Sequence, residues 1–267
     1  MRFRALVLVT TMLSGLAFAG TTCGTATIVP SDGRIVDFDF VAPSTSNFYQ
    51  FSVSPGQSYS IEVREDYDSP PSTLTTSFFS DGGTCGAAIA AASLTDTTGT
   101  EPALPANATR KSIVVPGAFG GAPVKYEIQV ANGDTVNGRY VSVSVSNTTL
   151  FNSSWSTFSN FLTVWLLQNT TNQTITATLT AYDNQGSPTK APASITFTIA
   201  PGAEAEKIIA GFAGFDINEG PQHGGYAVLV HNGPPGGVLA SGEFDNPTVN
   251  PNALVPVKFE AVRQAGH

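Results

Sequence analysis

Charge is scarce in this sequence. Of 267 residues, 12 are Lys or Arg and 20 are Asp or Glu, so only 12% are charged, about half the share usual in soluble proteins. The balance is acidic, with a formal net charge of −8, and no stripe of Lys and Arg interrupts it. Such a chain repels phosphate backbones, which excludes nucleic acid as a partner. Histidine is limited to His223, His231 and His267, and cysteine to Cys23 and Cys85, leaving little for acid–base, thiol or transition-metal chemistry. The sequence also lacks a G-x-S-x-G elbow, an H-E-x-x-H helix, a P-loop and a dinucleotide fingerprint. No apolar run reaches the roughly 20 residues needed to span a bilayer as a helix. These absences point away from an enzyme and toward a binding or structural protein.

The N-terminus holds two of the few cations. Met1-Arg2-Phe3-Arg4 precedes apolar stretches at 5–9 and 13–18, and Ala17-Phe18-Ala19 supplies the small residues of a cleavage site. That order is a secretory signal peptide over residues 1–19, with cleavage expected after Ala19. Losing Arg2 and Arg4 leaves 10 basic against 20 acidic residues, so the net charge moves from −8 to −10. The expected location is secreted, periplasmic or extracellular, where Cys23 and Cys85 are free to form a disulfide. Neither belongs to a C-x-x-C pair, so a structural bridge is the expectation over redox or zinc chemistry.

What is present is a period-2 apolar pattern. It runs through Val36, Phe38 and Phe40; Tyr49, Phe51 and Val53; Tyr59, Ile61 and Val63; Tyr126, Ile128 and Val130; Val141, Val143 and Val145. It resumes with Ile175, Ala177, Leu179 and Ala181; Ile195, Phe197 and Ile199; Tyr226, Val228 and Val230; Val257, Phe259 and Ala261. Such runs are half-buried strands. Pro55-Gly56, Asn132-Gly133-Asp134 and Asp183-Asn184-Gln185-Gly186 supply the turns between them. The nearly continuous apolar run at 161–167, which contains Trp165, predicts a central strand covered on both faces. Residues 86–92 are alanine-rich and fit either a short helix or a loop, and the Gly-rich 117–121 segment predicts a hairpin turn. The expected fold is all-β, with two tandem antiparallel β-sandwich domains of jelly-roll or Ig-like type over 20–146 and 147–267.

Within the first half, the positions Tyr49, Phe51, Val53, Gly56, Tyr59, Ile61 and Val63 spell Y-x-F-x-V-x-x-G-x-x-Y-x-I-x-V. This pattern resembles the bacterial pre-peptidase C-terminal (PPC) domain, a jelly-roll-like accessory module of exported proteins. The resemblance implies two adjacent strands joined by the Pro-Gly turn, and it implies no catalytic residue. The second half is similar to a generic Ig-like extracellular module, without the Cys-Trp-Cys arrangement of antibody domains.

Three groups of residues are candidates for function. Glu65, Asp66 and Asp68 follow a predicted strand, with Asp37, Asp39 and Asp81 as neighbours from other segments; hard carboxylate oxygens of this kind suit Ca²⁺. The order E-D-Y-D-S-P-P is not an EF-hand, and hydrated acidic loop is the alternative. Calcium is the one cofactor the sequence brings into view. Trp155, Phe158 and Tyr67 are candidate exposed aromatics for stacking on sugar or anchoring a protein contact, against the alternative of core packing. His223 and His231 flank one strand and are expected to be solvated. Asn107, Asn147, Asn152, Asn169 and Asn172 begin N-x-S/T sequons, which in a Thr/Ser/Asn-rich chain follow from composition. The expected role is a non-catalytic binding or structural protein contacting a cell-surface protein or glycan; the alternative is a carbohydrate-binding or accessory module beside a secreted hydrolase.

Overall fold

The computed structural model describes residues 20–66, 73–80, 84–101, 104–105, 107–186, 188–215, 222–246, 248 and 253–262. The expected signal peptide, Tyr67, Asp68, Asp81 and His267 lie outside these residues.

The fold is all-β. Strands β1 (Thr27–Ile28), β2 (Asp32–Val41), β3 (Ser46–Val53), β4 (Ser58–Glu65), β5 (Leu74–Phe79), β6 (Leu94–Asp96), β7 (Ala108–Val114), β8 (Val124–Asn132) and β9 (Arg139–Asn147) precede the break at Thr148-Thr149. After it come β10 (Leu150–Ser156), β11 (Leu162–Asn169), β12 (Ile175–Asp183), β13 (Ala193–Ile199), β14 (Glu204–Ile208), β15 (Gly224–His231), β16 (Val238–Asn246) and β17 (Ala253–Ala261). Helix among the described residues is confined to 3-10 turns of three residues, such as Cys23–Thr25 and Ala91–Ser93. The alanine-rich segment before Ala91 is extended rather than helical: Ala88 bridges Phe79, and Ile89 N–H donates to the Phe78 carbonyl.

The first nine strands form two sheets, ordered β1-β3-β8-β5 and β2-β9-β4-β7-β6. Alternation decides which faces meet. Tyr49, Phe51, Val53, Ile128 and Val130 of the first sheet pack against Tyr59, Ile61, Val63, Val141, Val143 and Val145 of the second, all 5% exposed or less. Strands β3 and β4 are adjacent in sequence but belong to different sheets, so the resemblance's implied strand pair is corrected to an arch that crosses the sandwich. Gly56 makes the crossing possible: its φ is +71°, and a Cβ there would meet Phe119 N at 2.5 Å. The Tyr59 hydroxyl ties the arch down, donating to Gln57 Oε1 and accepting from Ser54 N–H.

The remaining strands form one continuous eight-stranded sheet, β13-β12-β15-β10-β17-β16-β11-β14. Its two end strands are consecutive in the chain, so the sheet curls into a nearly closed barrel rather than two facing Ig-like layers. Strand β17 links the two parts by pairing with β16 over 253–258 and with β10 over 259–261. The inward residues Trp155, Trp165, Leu167, Ile175, Leu179 and Leu229, together with Phe212 and Phe215, fill the interior. At the seam, Lys207 Nζ of β14 sits 4.5 Å from the ring centroid of Phe197 on β13, a cation–π contact across the unpaired edges.

No ladder joins β1–β9 to β10–β17 among the described residues. The halves meet instead through side chains. Ser58 N–H donates to Thr149 Oγ1, Thr148 Oγ1 donates to Ser58 Oγ, and Ser112 Oγ donates to the Gly233 carbonyl. The Gly-rich 117–121 segment is not a hairpin turn, because β7 and β8 lie in different sheets. It carries Phe119 onto the barrel, where its ring lies 6.2 Å from Phe151 and 6.4 Å from Tyr226.

Candidate functional site

The acidic residues converge at one end of the β2-β9-β4 group. Strand β2 slips register between Val36 and Asp39, a bulge that gives Phe38 a φ of 54° and turns its ring to solvent, 53% exposed. Asp37 is thereby placed beside Ser142 of β9, and Asp66, immediately after β4, approaches from the other side: Ser142 Oγ is 2.5 Å from Asp37 Oδ1 and 2.6 Å from Asp66 Oδ1. Glu65 does not join them freely. It is buried at 3% exposure and ion-paired through Oε1 to Arg139 Nη1 at 2.8 Å. Asp39 accepts from the Tyr49 hydroxyl at 2.9 Å, and burial followed by that carboxylate pushes the Tyr49 pKa well up. Among the described residues no three His, Cys, Asp or Glu side chains are grouped to hold a metal ion.

The histidines are not solvated. His223 is 2% exposed and its Nδ1 lies 2.7 Å from Asp183 Oδ2; Asp183 also accepts from the backbone N–H groups of Gln185, Gly186 and Lys190. His231, also 2% exposed, sits where the halves meet, with Nδ1 accepting from Gly233 N–H at 3.1 Å. Sequence reasoning missed both because their flanking Gly and Pro residues read as loop, whereas the burial comes from elements distant in sequence.

Burial pushes the His231 pKa down from 6.5 to about 4, opposed by a hydrogen bond to the Thr148 backbone. The folded protein therefore holds a neutral imidazole that the unfolded chain protonates first. This contribution is complete above pH 6.5 and is lost as pH falls toward 4, amounting to about 3 kcal/mol. Denaturant midpoints measured from pH 7 to pH 4 should fall more steeply for the unmodified protein than for His231→Gln; parallel curves would contradict the assignment.

Trp155 is corrected from a candidate exposed aromatic to a core residue. It is 1% exposed, with its indole N–H shared between the Tyr182 and Tyr226 carbonyls at 3.2 and 2.9 Å. Phe158 is half-buried in the 3-10 turn Phe158–Asn160. The aromatics nearest to a row are Phe151, Tyr226 and Tyr182 on β10, β15 and β12, but Tyr182 and Tyr226 stack on each other at 4.8 Å and 5°. Their flat faces are spent on one another and on Phe119, not turned outward for sugar. Two sequon asparagines are structural amides: Asn152 and Asn169 are 0% exposed, their Nδ2 groups donating to the Lys258 carbonyl and to the Gln173, Ile199 and Ala200 carbonyls.

Comparison with protein-family models and with curated proteins returns no match. The chemistry of the surface must therefore be read from the residues themselves. No helix among the described residues is long and apolar enough to cross a membrane.

A group of exposed apolar residues lies on the outside of the barrel. Strand β11 alternates: Thr163, Trp165, Leu167 and Asn169 are buried, whereas Val164 and Leu166 point outward and are half-buried, and Leu162, at the start of the strand, packs in part on the core. The expected cover on both faces is thus present on one face only. Register places Leu254 of β17, Leu239 of β16 and Ile208 of β14 on the same outer side, exposed at 56%, 57% and 38%. Glu243, Asp245, Glu204 and Glu206 share this surface with Lys258, its one cation among the described residues. The result is a face on which apolar and acidic side chains alternate, with Asp245 between Leu254 and β11 and Glu243 beside Val164.

Proposed function

We propose that this protein is an exported, non-catalytic binding module that contacts a cell-surface protein through the outer face of β17-β16-β11-β14. The observation that carries this reading is the set of outward apolar side chains Val164, Leu166, Ile208, Leu239 and Leu254, interspersed with Glu204, Glu206, Glu243 and Asp245. Exposed large apolar side chains gathered on one sheet face are costly to leave in water and mark interaction sites. Four carboxylates against one ammonium among the described residues of this face favour a partner surface that mixes apolar and basic groups. Likeness of residues 37–63 to an accessory module of exported proteins fits work alongside other proteins rather than chemistry of its own.

Binding of the purified protein to cell-surface fractions should be saturable and should weaken as salt rises. The double variant Leu239→Asp, Leu254→Asp should bind at least about tenfold less well, while its melting temperature stays close to that of the parent because both side chains are exposed. Equal binding by parent and variant would remove this face from the reading.

A further inference from the structure

The N-terminal half carries a second site, independent of the barrel face. Ser142 Oγ has one proton to give, yet carboxylate oxygens of Asp37 and Asp66 both lie within 2.6 Å of it. One proton satisfies one contact; the other brings two lone-pair-bearing oxygens together. The Asp66 side chain is 4% exposed, and its Oδ2 is buried without a hydrogen-bond donor. Glu65 Oε2 and Asn107 Oδ1 are likewise buried without donors. Asp37, Glu65, Asp66 and Asn107 line one cavity of about 300 Å³. Leaving so many acceptors unmatched in a low-dielectric setting is expensive unless positive charge enters.

The neighbouring guanidinium groups supply it only in part, since they leave Asp66 Oδ2, Glu65 Oε2 and Asn107 Oδ1 without donors. Arg139 is committed to Glu65 Oε1 and Asp134 Oδ2, at 2.8 and 3.0 Å. Arg64 Nε stands 3.8 Å from Asp66 Oδ1, beyond hydrogen-bond reach. Every orphaned atom in the cavity is a hard oxygen, with neither imidazole nor thiolate among the lining residues. We infer that Asp37 and Asp66 bind a calcium ion, with Asn107 Oδ1 and Ser142 Oγ as neutral oxygen ligands and water completing the shell. With only two carboxylates and two guanidinium groups nearby, the affinity belongs with weak extracellular sites, Kd on the order of 10⁻⁴ to 10⁻³ M.

The test uses the purified protein in about 10 mM CaCl₂, the same concentration of MgCl₂, or EDTA. Calcium should raise the melting temperature by several degrees over EDTA, with little effect from magnesium, and the Asp37→Asn, Asp66→Asn double variant should lose the response. A terbium titration of the unmodified protein reads the same site without mutation. Tyr49, whose hydroxyl donates to Asp39 two residues along β2 from Asp37, should sensitise saturable emission that calcium displaces. Identical melting in calcium and EDTA, a magnesium shift equal to that of calcium, a calcium response surviving in a folded double variant, or terbium emission that calcium leaves unchanged would each overturn the assignment.

Discussion

Replacing Cys23 and Cys85 by serine is expected to cost about 4 kcal/mol, read as a fall in melting temperature of about 10 °C. The two cysteines are bonded, with Cα atoms 5.9 Å apart and a separation of 62 in sequence. In the chain-entropy account, opening a loop of that size returns to the unfolded chain the freedom that sets this figure. Local structure adds to the effect. Cys23 opens the 3-10 turn that leads into β1, whose only ladder is two parallel residue pairs with β3. Cys85 lies with a φ of 50° in the extended excursion after β5. The bond thus secures the N-terminal strand to its sandwich. A melt of the double-serine variant beside the oxidised parent measures the cost, and a shift of a degree or less would show that the bridge does not constrain the fold.

The second large effect is expected at Arg139. Its guanidinium is 6% exposed and bonds Glu65 Oε1 and Asp134 Oδ2. Arg139→Met removes the counter-charge and strands the Glu65 carboxylate, itself 3% exposed. Breaking a buried pair from one side costs about 3 to 5 kcal/mol. Removing both charges, as Glu65→Gln with Arg139→Met, should restore more than half of the loss, because the desolvated anion rather than the missing attraction dominates the penalty. Chemical denaturation of the two single variants and the double variant checks this; a double variant no better than Arg139→Met would assign the effect to packing.

Legibility from sequence followed the range of the interactions involved. Alternation at Tyr49, Phe51 and Val53, or at Val141, Val143 and Val145, became strands with those residues at 1% exposure or less, because a period of two is a property of the backbone itself. Asp183 marked a turn correctly, and its carboxylate proves to accept the turn's own N–H groups. Val36, Phe38 and Phe40 kept the rhythm in sequence but not in space, since the register shifts of β2 turn Phe38 outward and give Val41 the core position at 0% exposure. Partner choice was the opaque part. Nothing within residues 46–65 distinguishes an arch from a hairpin, and nothing near His231 announces that another sheet will bury it. Of the acidic site, Asp37 and Asp66 were readable as carboxylates in neighbouring segments. Ser142, the residue that draws them together, stood unnoticed in an ordinary alternating strand.

The join between the halves also sets how the molecule responds to tension. Strand β10 begins at Leu150 and β17 ends opposite it, with Leu150 paired to Ala261 and Val262 N–H donating to the Thr149 carbonyl. A load applied between the first sandwich and the C-terminus therefore enters both strands at the same end of their ladder. The hydrogen bonds there are loaded one after another, as in a zip, and not all at once in shear. Under traction this corner is where the barrel is expected to give first.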